Sequence, residues 1–280
     1  MLLKKIVLGS TLLLAISARG QQIVRATDVQ MVTEAGTKVV ISGGGITFKG
    51  TSNWVNNGET HIYKTTAPSP EGWLDSTATG VLANTSTGNV FMRGNQRQSF
   101  YGKTRFYDLT IRNTAGDTLL SSCEVRNALN LDTGFVFTQS GYGNDSLWVS
   151  NAAINAIAST SSYSKSWVNG RLSRSGNVIG SLPTFYLFPV GKTDSLFGPV
   201  RLEKANTNPT VWTVEYFTGF PFNYLTVMNP PIDHISRVEY WEMTGVPSTD
   251  ASAMVSLSWR GYSRVSSSAA TRDSLIVAQY

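Results

Sequence analysis

The chain has 280 residues, of which 15% are charged, and this length suffices for one large hydrophobic core or two moderate ones. The formal net charge is +5, but the first 20 residues hold three basic side chains and no acidic one, leaving 20 basic against 18 acidic residues after them. This near balance, without a basic stripe, argues against nucleic-acid binding. Cys123 is the only cysteine, which excludes an intramolecular disulfide.

The N-terminus has the pattern of a secretory leader. Lys4 and Lys5 precede a mainly apolar stretch at residues 6–16, and small residues follow at Ala18 and Gly20. The stretch is too short to span a bilayer, which needs roughly 20 apolar residues. We therefore predict a signal peptide at residues 1–20, with cleavage before residue 21, and a secreted or cell-surface protein.

Beyond the leader, alternating side chains predict short strands at residues 39–41 and 46–48. The glycine run between them, at residues 43–45, lacks the Lys-Ser/Thr pair and the helix of a phosphate-binding loop. We predict a tight corner there, because glycine tolerates positive φ. The polar stretch at residues 75–87 is predicted to be a protruding loop. Trp73, just before it, either stacks on a sugar ring or covers an apolar end of the fold.

A short apolar–polar–apolar unit then recurs about every 20 residues, which predicts one pass of a solenoid per repeat. The units are Val90-Phe91-Met92, Leu109-Thr110-Ile111, Leu129-Asn130-Leu131 and Leu147-Trp148-Val149. Two further ladders with similar spacing are predicted from Phe100, Leu119 and Phe137, and from Phe106 and Val125. The apolar members are predicted to stack inward. Residues 21–160 are thus predicted to form a parallel β-helix, right-handed by the usual crossover preference.

After residue 166 the alternating strands become longer and are separated by polar turns, which indicates an antiparallel β-sandwich at residues 161–280. The predicted strands are residues 167–172, 185–189, 199–203, 211–217, 238–243, 255–259 and 275–278. The fold class predicted for the whole chain is therefore all-β, a right-handed parallel β-helix (solenoid) followed by an antiparallel β-sandwich.

Several phrases of the sequence resemble those of large exported surface proteins of Bacteroidota bacteria. They lie at residues 106–113, 167–172, 188–192, 239–241 and 256–259. The resemblance implies a secreted or cell-surface protein of adhesin-like character, exported by the type IX route and associated with the outer-membrane surface. It supplies no catalytic residues. Those proteins usually continue into further domains and a C-terminal sorting domain, whereas this sequence ends at Tyr280, and it does not decide whether the chain is a fragment.

The acidic residues of the repeats do not predict a catalytic pair. Glycoside hydrolysis needs two carboxylates on one face. The candidates are Asp108, Glu124, Asp132 and Asp145, and they occupy different positions within the repeats. We interpret them as solvated turn residues and predict no catalytic residues.

The sequence also predicts no metal site and no cofactor. Cys123 has no histidine nearby in the sequence, so it is interpreted as a small buried side chain. His61 and His234 lie far apart in the chain, without the cysteines or the acidic cluster that a zinc site requires.

A candidate ligand-binding strip follows from the repeat units. Thr110, Asn130 and Trp148 take the middle position of their units, so alternation predicts that they face outward. An aromatic ring beside polar side chains suits a sugar or a partner protein. For Trp148 the favoured interpretation is packing under the neighbouring domain, with ligand binding as the alternative. Trp73 is the second aromatic candidate, and covering of an apolar end is favoured for it.

We therefore expect a non-enzymatic exported surface protein that acts in structural display or adhesion, with a polysaccharide or a host or matrix protein as partner. One alternative is a carbohydrate-active enzyme, a polysaccharide lyase or glycosidase, on the β-helix. The other is a spacer for missing C-terminal domains. A convergent carboxylate pair in a groove favours the enzyme, an exposed aromatic strip favours adhesion, and a uniformly polar lateral surface favours the spacer.

Overall fold

The computed structural model of the protein describes residues 4–8, 23–64, 71–138, 145–159, 166–176, 185–192, 196–204, 210–221, 235–247, 253–259 and 263. These residues are mostly in strands; they include no α-helix, and a short 3-10 turn lies at Ile154–Ala156. Most strands belong to one large, mainly parallel sheet that nearly closes on itself. The all-β part of the predicted fold is therefore confirmed.

The strands that make parallel pairs come first in the chain. They are β1 (Lys4–Leu8), β2 (Ile23–Thr27), β3 (Val29–Thr33), β4 (Lys38–Ser42), β5 (Gly45–Lys49), β6 (Asn53–Asn56), β7 (Glu59–Lys64), β8 (Glu71–Asp75), β9 (Asn89–Gly94), β10 (Gln98–Tyr101), β11 (Arg105–Asn113), β12 (Asp117–Leu119), β13 (Cys123–Thr138), β14 (Leu147–Val149), β15 (Ile157–Ser159), β16 (Ser166–Asn169) and β17 (Leu172–Gly176). Strand β1 lies within the predicted leader and pairs with β3; cleavage of the leader stays a prediction.

The strands that follow pair in antiparallel ladders. They are β18 (Tyr186–Phe188), β19 (Gly191–Lys192), β20 (Leu196–Phe197), β21 (Val200–Lys204), β22 (Thr210–Thr218), β23 (Glu239–Val246) and β24 (Ala253–Leu257). Strands β22 and β23 extend the large sheet from β17, whereas β18, β21 and β24 form a separate sheet.

The first three repeat units pair in register, as predicted. Leu109 on β11 lies opposite Val90 on β9 and opposite Leu129 on β13, and all three side chains are buried. Phe106 also lies opposite Val125, as predicted. Side chains alternate between the two faces of a strand, so this register places the apolar members of each unit together in the core.

The predicted position of the fourth unit is wrong. Leu147 lies opposite Cys123, and the partner of Leu129 is instead Ile157 on β15. The physical reason is the length of β13, whose 16 residues pair with β14 near their start and with β15 further along. The strand that pairs with Leu129 is therefore separated from it by more residues than in the earlier repeats, and the spacing of about 20 residues no longer applies.

The prediction for Phe137 is also wrong. Leu119 pairs with Phe100 as predicted, but Phe137 lies opposite Thr118 rather than Leu119. A shift of one residue reverses the faces of a strand. Val136 is therefore buried in the core, while Phe137 is half-buried on the outer side.

Trp73 belongs to the interior, and the loop after it is packed against the strands through its buried residues, among them Val81 and Leu82, while about half of its residues are exposed. Trp73 lies on β8 and is fully buried, and its Nε1 donates a hydrogen bond to Thr104 Oγ1 at 2.8 Å. The buried Asp75 carboxylate accepts hydrogen bonds from the Val81 N–H at 2.7 Å and from the Thr104 hydroxyl at 2.5 Å. These bonds hold residues 76–82 against the strands, so a polar sequence follows a packed path here.

Parallel pairing continues past the domain boundary predicted at residue 160. Trp167 was predicted to begin the first sandwich strand, but it lies on β16 and pairs in parallel with Phe135 of β13. Its ring centroid is 4.5 Å from that of Phe135 and 5.3 Å from that of Phe197 on β20. Trp167 therefore packs on both a parallel and an antiparallel strand.

The antiparallel pairing begins at β17, which pairs with β22. The strands predicted at residues 185–189, 199–203, 211–217 and 238–243 correspond to β18, β21, β22 and β23. The strand predicted at residues 275–278 lies outside the described residues. The sandwich as an architecture therefore stays a prediction.

Asp117, at the start of β12, is a fully buried carboxylic acid. Its Oδ1 accepts a hydrogen bond from Asn113 Nδ2 at 2.9 Å, whereas its Oδ2 has no partner among the described residues. Burial raises the pKa of Asp117 to about 7, although the Asn113 bond and the positive charge of Arg97 oppose this. The folded protein therefore retains a proton that the unfolded chain releases near pH 4.

We predict that this group lowers the free energy of unfolding as pH rises from about 4 to about 7, because the folded state binds more protons over that range. Asp117→Asn removes the titrating proton, so its stability should decline less with pH than that of the wild type. Denaturant unfolding at a series of pH values measures both slopes. Glu34→Gln, at an exposed site, is the control, and identical slopes in wild type and Asp117→Asn would contradict the prediction.

Candidate functional site

A row of outward-facing side chains crosses six neighbouring strands of the large sheet. Strand register places opposite one another Arg105 (β11), Glu124 (β13), Trp148 (β14), Ser173 (β17), Thr213 (β22) and Thr244 (β23). We call these six residues the Trp148 row. Their chain neighbours Val125, Leu172 and Val214 are buried in the core, so alternation directs the row to the outer face. Ser173 is itself covered by its neighbours and is 4% exposed.

Trp148 is held at the surface by the residues on either side of it. Leu147 and Val149 are 1% and 0% exposed, and because both point inward, the indole between them points outward and is half-buried. The Trp148 Nε1 atom is buried and has no hydrogen-bond partner among the described residues. The predicted outward orientation of Trp148 agrees with this position.

A groove with a volume of about 530 Å³ lies beside the Trp148 row, where the parallel strands meet β22 and β23. Its lining includes Trp148, the hydroxyl side chains Ser122, Ser146 and Ser173, and the aliphatic side chains Val211 and Val246. An aromatic ring offers a flat apolar face, and hydroxyl groups both donate and accept hydrogen bonds. The accessible surface of the groove is mostly apolar, so it offers mainly an aromatic and aliphatic face to a sugar ring, with a small number of polar groups beside it.

An ion pair forms one end of the row. Arg105 Nε and Nη2 donate to the two carboxylate oxygens of Glu124 at 2.5 and 3.3 Å, and Ser150 Oγ donates to Glu124 Oε1 at 2.7 Å. Burial raises the pKa of Glu124, but the hydrogen bonds from Arg105 and Ser150 outweigh burial and hold the pKa below its usual value. Glu124 is therefore ionised at neutral pH and unsuited to act as a general acid.

The four carboxylates considered for catalysis each bind a neighbouring segment. Asp108 accepts hydrogen bonds from Asn127 and Ala128, Glu124 pairs with Arg105, Asp132 pairs with Arg112, and Asp145 accepts from Ser122. Among the described residues that line the groove, Glu124 is the one carboxylate. A hydrolytic site built on two carboxylates is therefore not assembled from the lining residues that the structure describes.

Thr110 and Asn130 lie opposite each other, but away from Trp148, whose partners are Glu124 and Ser173. Asn130 Nδ2 donates to Thr110 Oγ1 at 3.3 Å, and Thr110 is 4% exposed. The predicted strip of Thr110, Asn130 and Trp148 is therefore not continuous, because the register changes along β13. Trp73 is fully buried, as shown above, so its prediction as a ligand-stacking residue is wrong.

The aromatic residue that accompanies Thr110 and Asn130 is Phe91, which sequence reasoning missed. Phe91 lies opposite Thr110, and its ring stacks on His61 with centroids 4.4 Å apart and planes 3° apart. The Arg93 guanidinium lies 5.0 Å from the Phe91 ring centroid. The sequence contains the information needed to predict this, because Phe91 holds the same middle position in its repeat unit as Thr110 and Asn130.

His61 and Cys123 are both buried, and Cys123 is also one of the residues that line the groove. His61 is 1% exposed, and burial lowers its pKa, although its hydrogen bond to Glu59 opposes this shift. Cys123 is 6% exposed, and burial raises the pKa of its thiol. His234 lies outside the described residues. Among the residues that are described, no three His, Cys, Asp or Glu side chains are grouped closely enough to hold a metal ion.

Comparisons with known proteins supply no family for this chain. A scan against protein-family models, a search of curated proteins and a search of solved structures each found no match. Function is therefore argued from the site itself.

We predict that the Cys123 thiol is unreactive in the folded protein, because burial keeps it protonated and restricts access by reagents. Labelling with a thiol-specific chromogenic reagent measures this directly. In Ser42→Cys, which adds a thiol at an exposed position, one thiol should react rapidly and one only after unfolding. Rapid labelling of wild-type Cys123 under native conditions would contradict the prediction.

Proposed function

We propose that the protein is a non-enzymatic, exported surface protein that binds glycans through the groove beside Trp148 and thereby acts in adhesion or structural display. The observation that carries this proposal is an outward indole in an open groove whose lining also contains serine hydroxyls. Sugars present apolar ring faces and hydroxyl groups together, so this pairing of side chains complements them.

The proposal includes the finer architecture, a right-handed parallel β-solenoid followed by an antiparallel β-sandwich. In-register pairing of Val90, Leu109 and Leu129 supports the solenoid, because stacked passes share a continuous core. Its hand follows the usual crossover preference. A hydrogen bond from Trp241 Nε1 to the Gly198 carbonyl at 2.8 Å ties β23 to the chain before β21 and supports packing of the two antiparallel layers.

Export is proposed from the leader pattern at residues 1–20. The resemblance to Bacteroidota surface proteins adds the type IX route and the outer-membrane surface as its destination. Among the described residues, no helix is long and apolar enough to cross a membrane.

Binding without turnover is supported by the single carboxylate among the described lining residues. Glu124 is held by Arg105 on both of its oxygens, and glycoside hydrolysis requires a second carboxyl group at a defined distance. The groove as described therefore holds a glycan without the carboxylate pair of a glycoside hydrolase.

The test is a glycan array probed with the purified protein, combined with a reducing-sugar assay on the polysaccharides that bind. Binding without release of sugar ends supports the proposal. Release of sugar ends contradicts it and favours the carbohydrate-active enzyme. An absence of both contradicts glycan binding and favours a protein partner or a spacer.

We predict that Trp148→Ala weakens binding to the array glycan by at least about fivefold, because an aromatic contact contributes roughly 1 kcal/mol or more. Trp148→Phe should retain most of the affinity, since it keeps an aromatic face. Trp259→Ala, which removes an indole that is 45% exposed and does not line the groove, is the matched control. Thermal unfolding confirms that each variant is folded, and undiminished binding by folded Trp148→Ala would refute the assigned site.

A further inference from the structure

Resting on the proposed glycan binding, we propose that the ligand is a linear, unbranched polysaccharide whose chain lies across the strands along the Trp148 row. Such a ligand contacts the protein through several consecutive sugar units rather than through one terminal sugar.

The spacing of the row matches a polysaccharide chain. Neighbouring strands lie about 4.8 Å apart, so six positions span roughly 24 Å. The distance between two neighbouring strands is close to the length of one hexose unit in an extended chain. Consecutive sugar units can therefore lie over consecutive residues of the row. Both ends of the row are open, because the Arg105 side chain is 44% exposed and Thr244 is exposed. A long chain can therefore continue past the site in either direction.

Polar groups lie on both sides of the indole. On one side are the Arg105 and Glu124 side chains, and on the other the Ser173 and Thr213 hydroxyls lie 2.7 Å apart. Ser173 is 4% exposed, so of this pair the half-buried Thr213 is the residue that a ligand contacts. A chain that stacks one ring on Trp148 can thus hydrogen-bond through the sugar units before and after it.

A peptide that adds a strand is a poorer occupant of this row. Strands β13, β14, β17 and β22 each have a paired strand on both sides along the row. Their backbone N–H and C=O groups are committed to the sheet, and strand addition needs a free edge. A ligand over these strands must therefore be recognised by side chains, which for this row are aromatic, hydroxyl and ionic.

The experiment is calorimetric titration with β-1,4-linked cello-, xylo-, manno- and chito-oligosaccharides, from the disaccharide to the octasaccharide. In at least one series the affinity should rise at least about tenfold from disaccharide to hexasaccharide and then level off. Thr244 lies three strand intervals from Trp148, beyond the reach of a disaccharide stacked there. Thr244→Arg should therefore weaken hexasaccharide binding about tenfold and leave disaccharide binding unchanged.

Ser42→Arg, which places the same side chain at an exposed position on β4, should leave all affinities unchanged. Affinity that is independent of length, or hexasaccharide binding unaffected by Thr244→Arg, would overturn the extended chain while leaving glycan binding intact. Failure of all four series to bind at any length would overturn the extended chain, whereas glycan binding as such is overturned only by failure to bind on the glycan array.

Discussion

In-register pairing of parallel strands is the constraint on which the rest of the structure depends. Because side chains alternate along each strand, the register decides which residues enter the core and which face solvent. Val125 and Leu147 are buried, and this fixes Glu124 and Trp148 on the outer face. A slip of one residue would exchange the two faces and bury the whole Trp148 row, so the site is a direct consequence of the packing beneath it.

A buried cation joins the parallel strands to the antiparallel ones beside the groove. Arg174 on β17 is fully buried and donates hydrogen bonds to the carbonyl oxygens of Leu187 at 3.2 Å and Ala153 at 2.8 Å. Its guanidinium lies 4.4 Å from the Tyr186 ring centroid. Burial lowers the pKa of Arg174 to about 10, so it stays charged at neutral pH. A buried charge is tolerated only when such partners surround it, and these partners come from both parts of the fold.

The sequence pattern predicted the strand register correctly where consecutive repeats have the same length. It predicted the register wrongly where a repeat is longer. The registers of β9, β11 and β13 followed from a constant spacing, whereas Leu147 and Phe137 were misplaced because β13 is long and its pairing shifts. Local alternation was sufficient to predict that Trp148 faces outward. Its neighbours Glu124 and Ser173 could not be predicted, because they come from other passes and depend on how many residues each intervening connection contains.

The central claim, that Trp148 contacts the bound glycan, is tested most directly by titrating the protein with an array-selected polysaccharide while recording tryptophan fluorescence. The chain has seven tryptophans, so the contribution of one indole is isolated by comparing Trp148→Phe with Trp259→Phe. We predict that the glycan changes the fluorescence of the wild type and of Trp259→Phe, and that this change is lost in Trp148→Phe. A full fluorescence change in Trp148→Phe would contradict the proposed site.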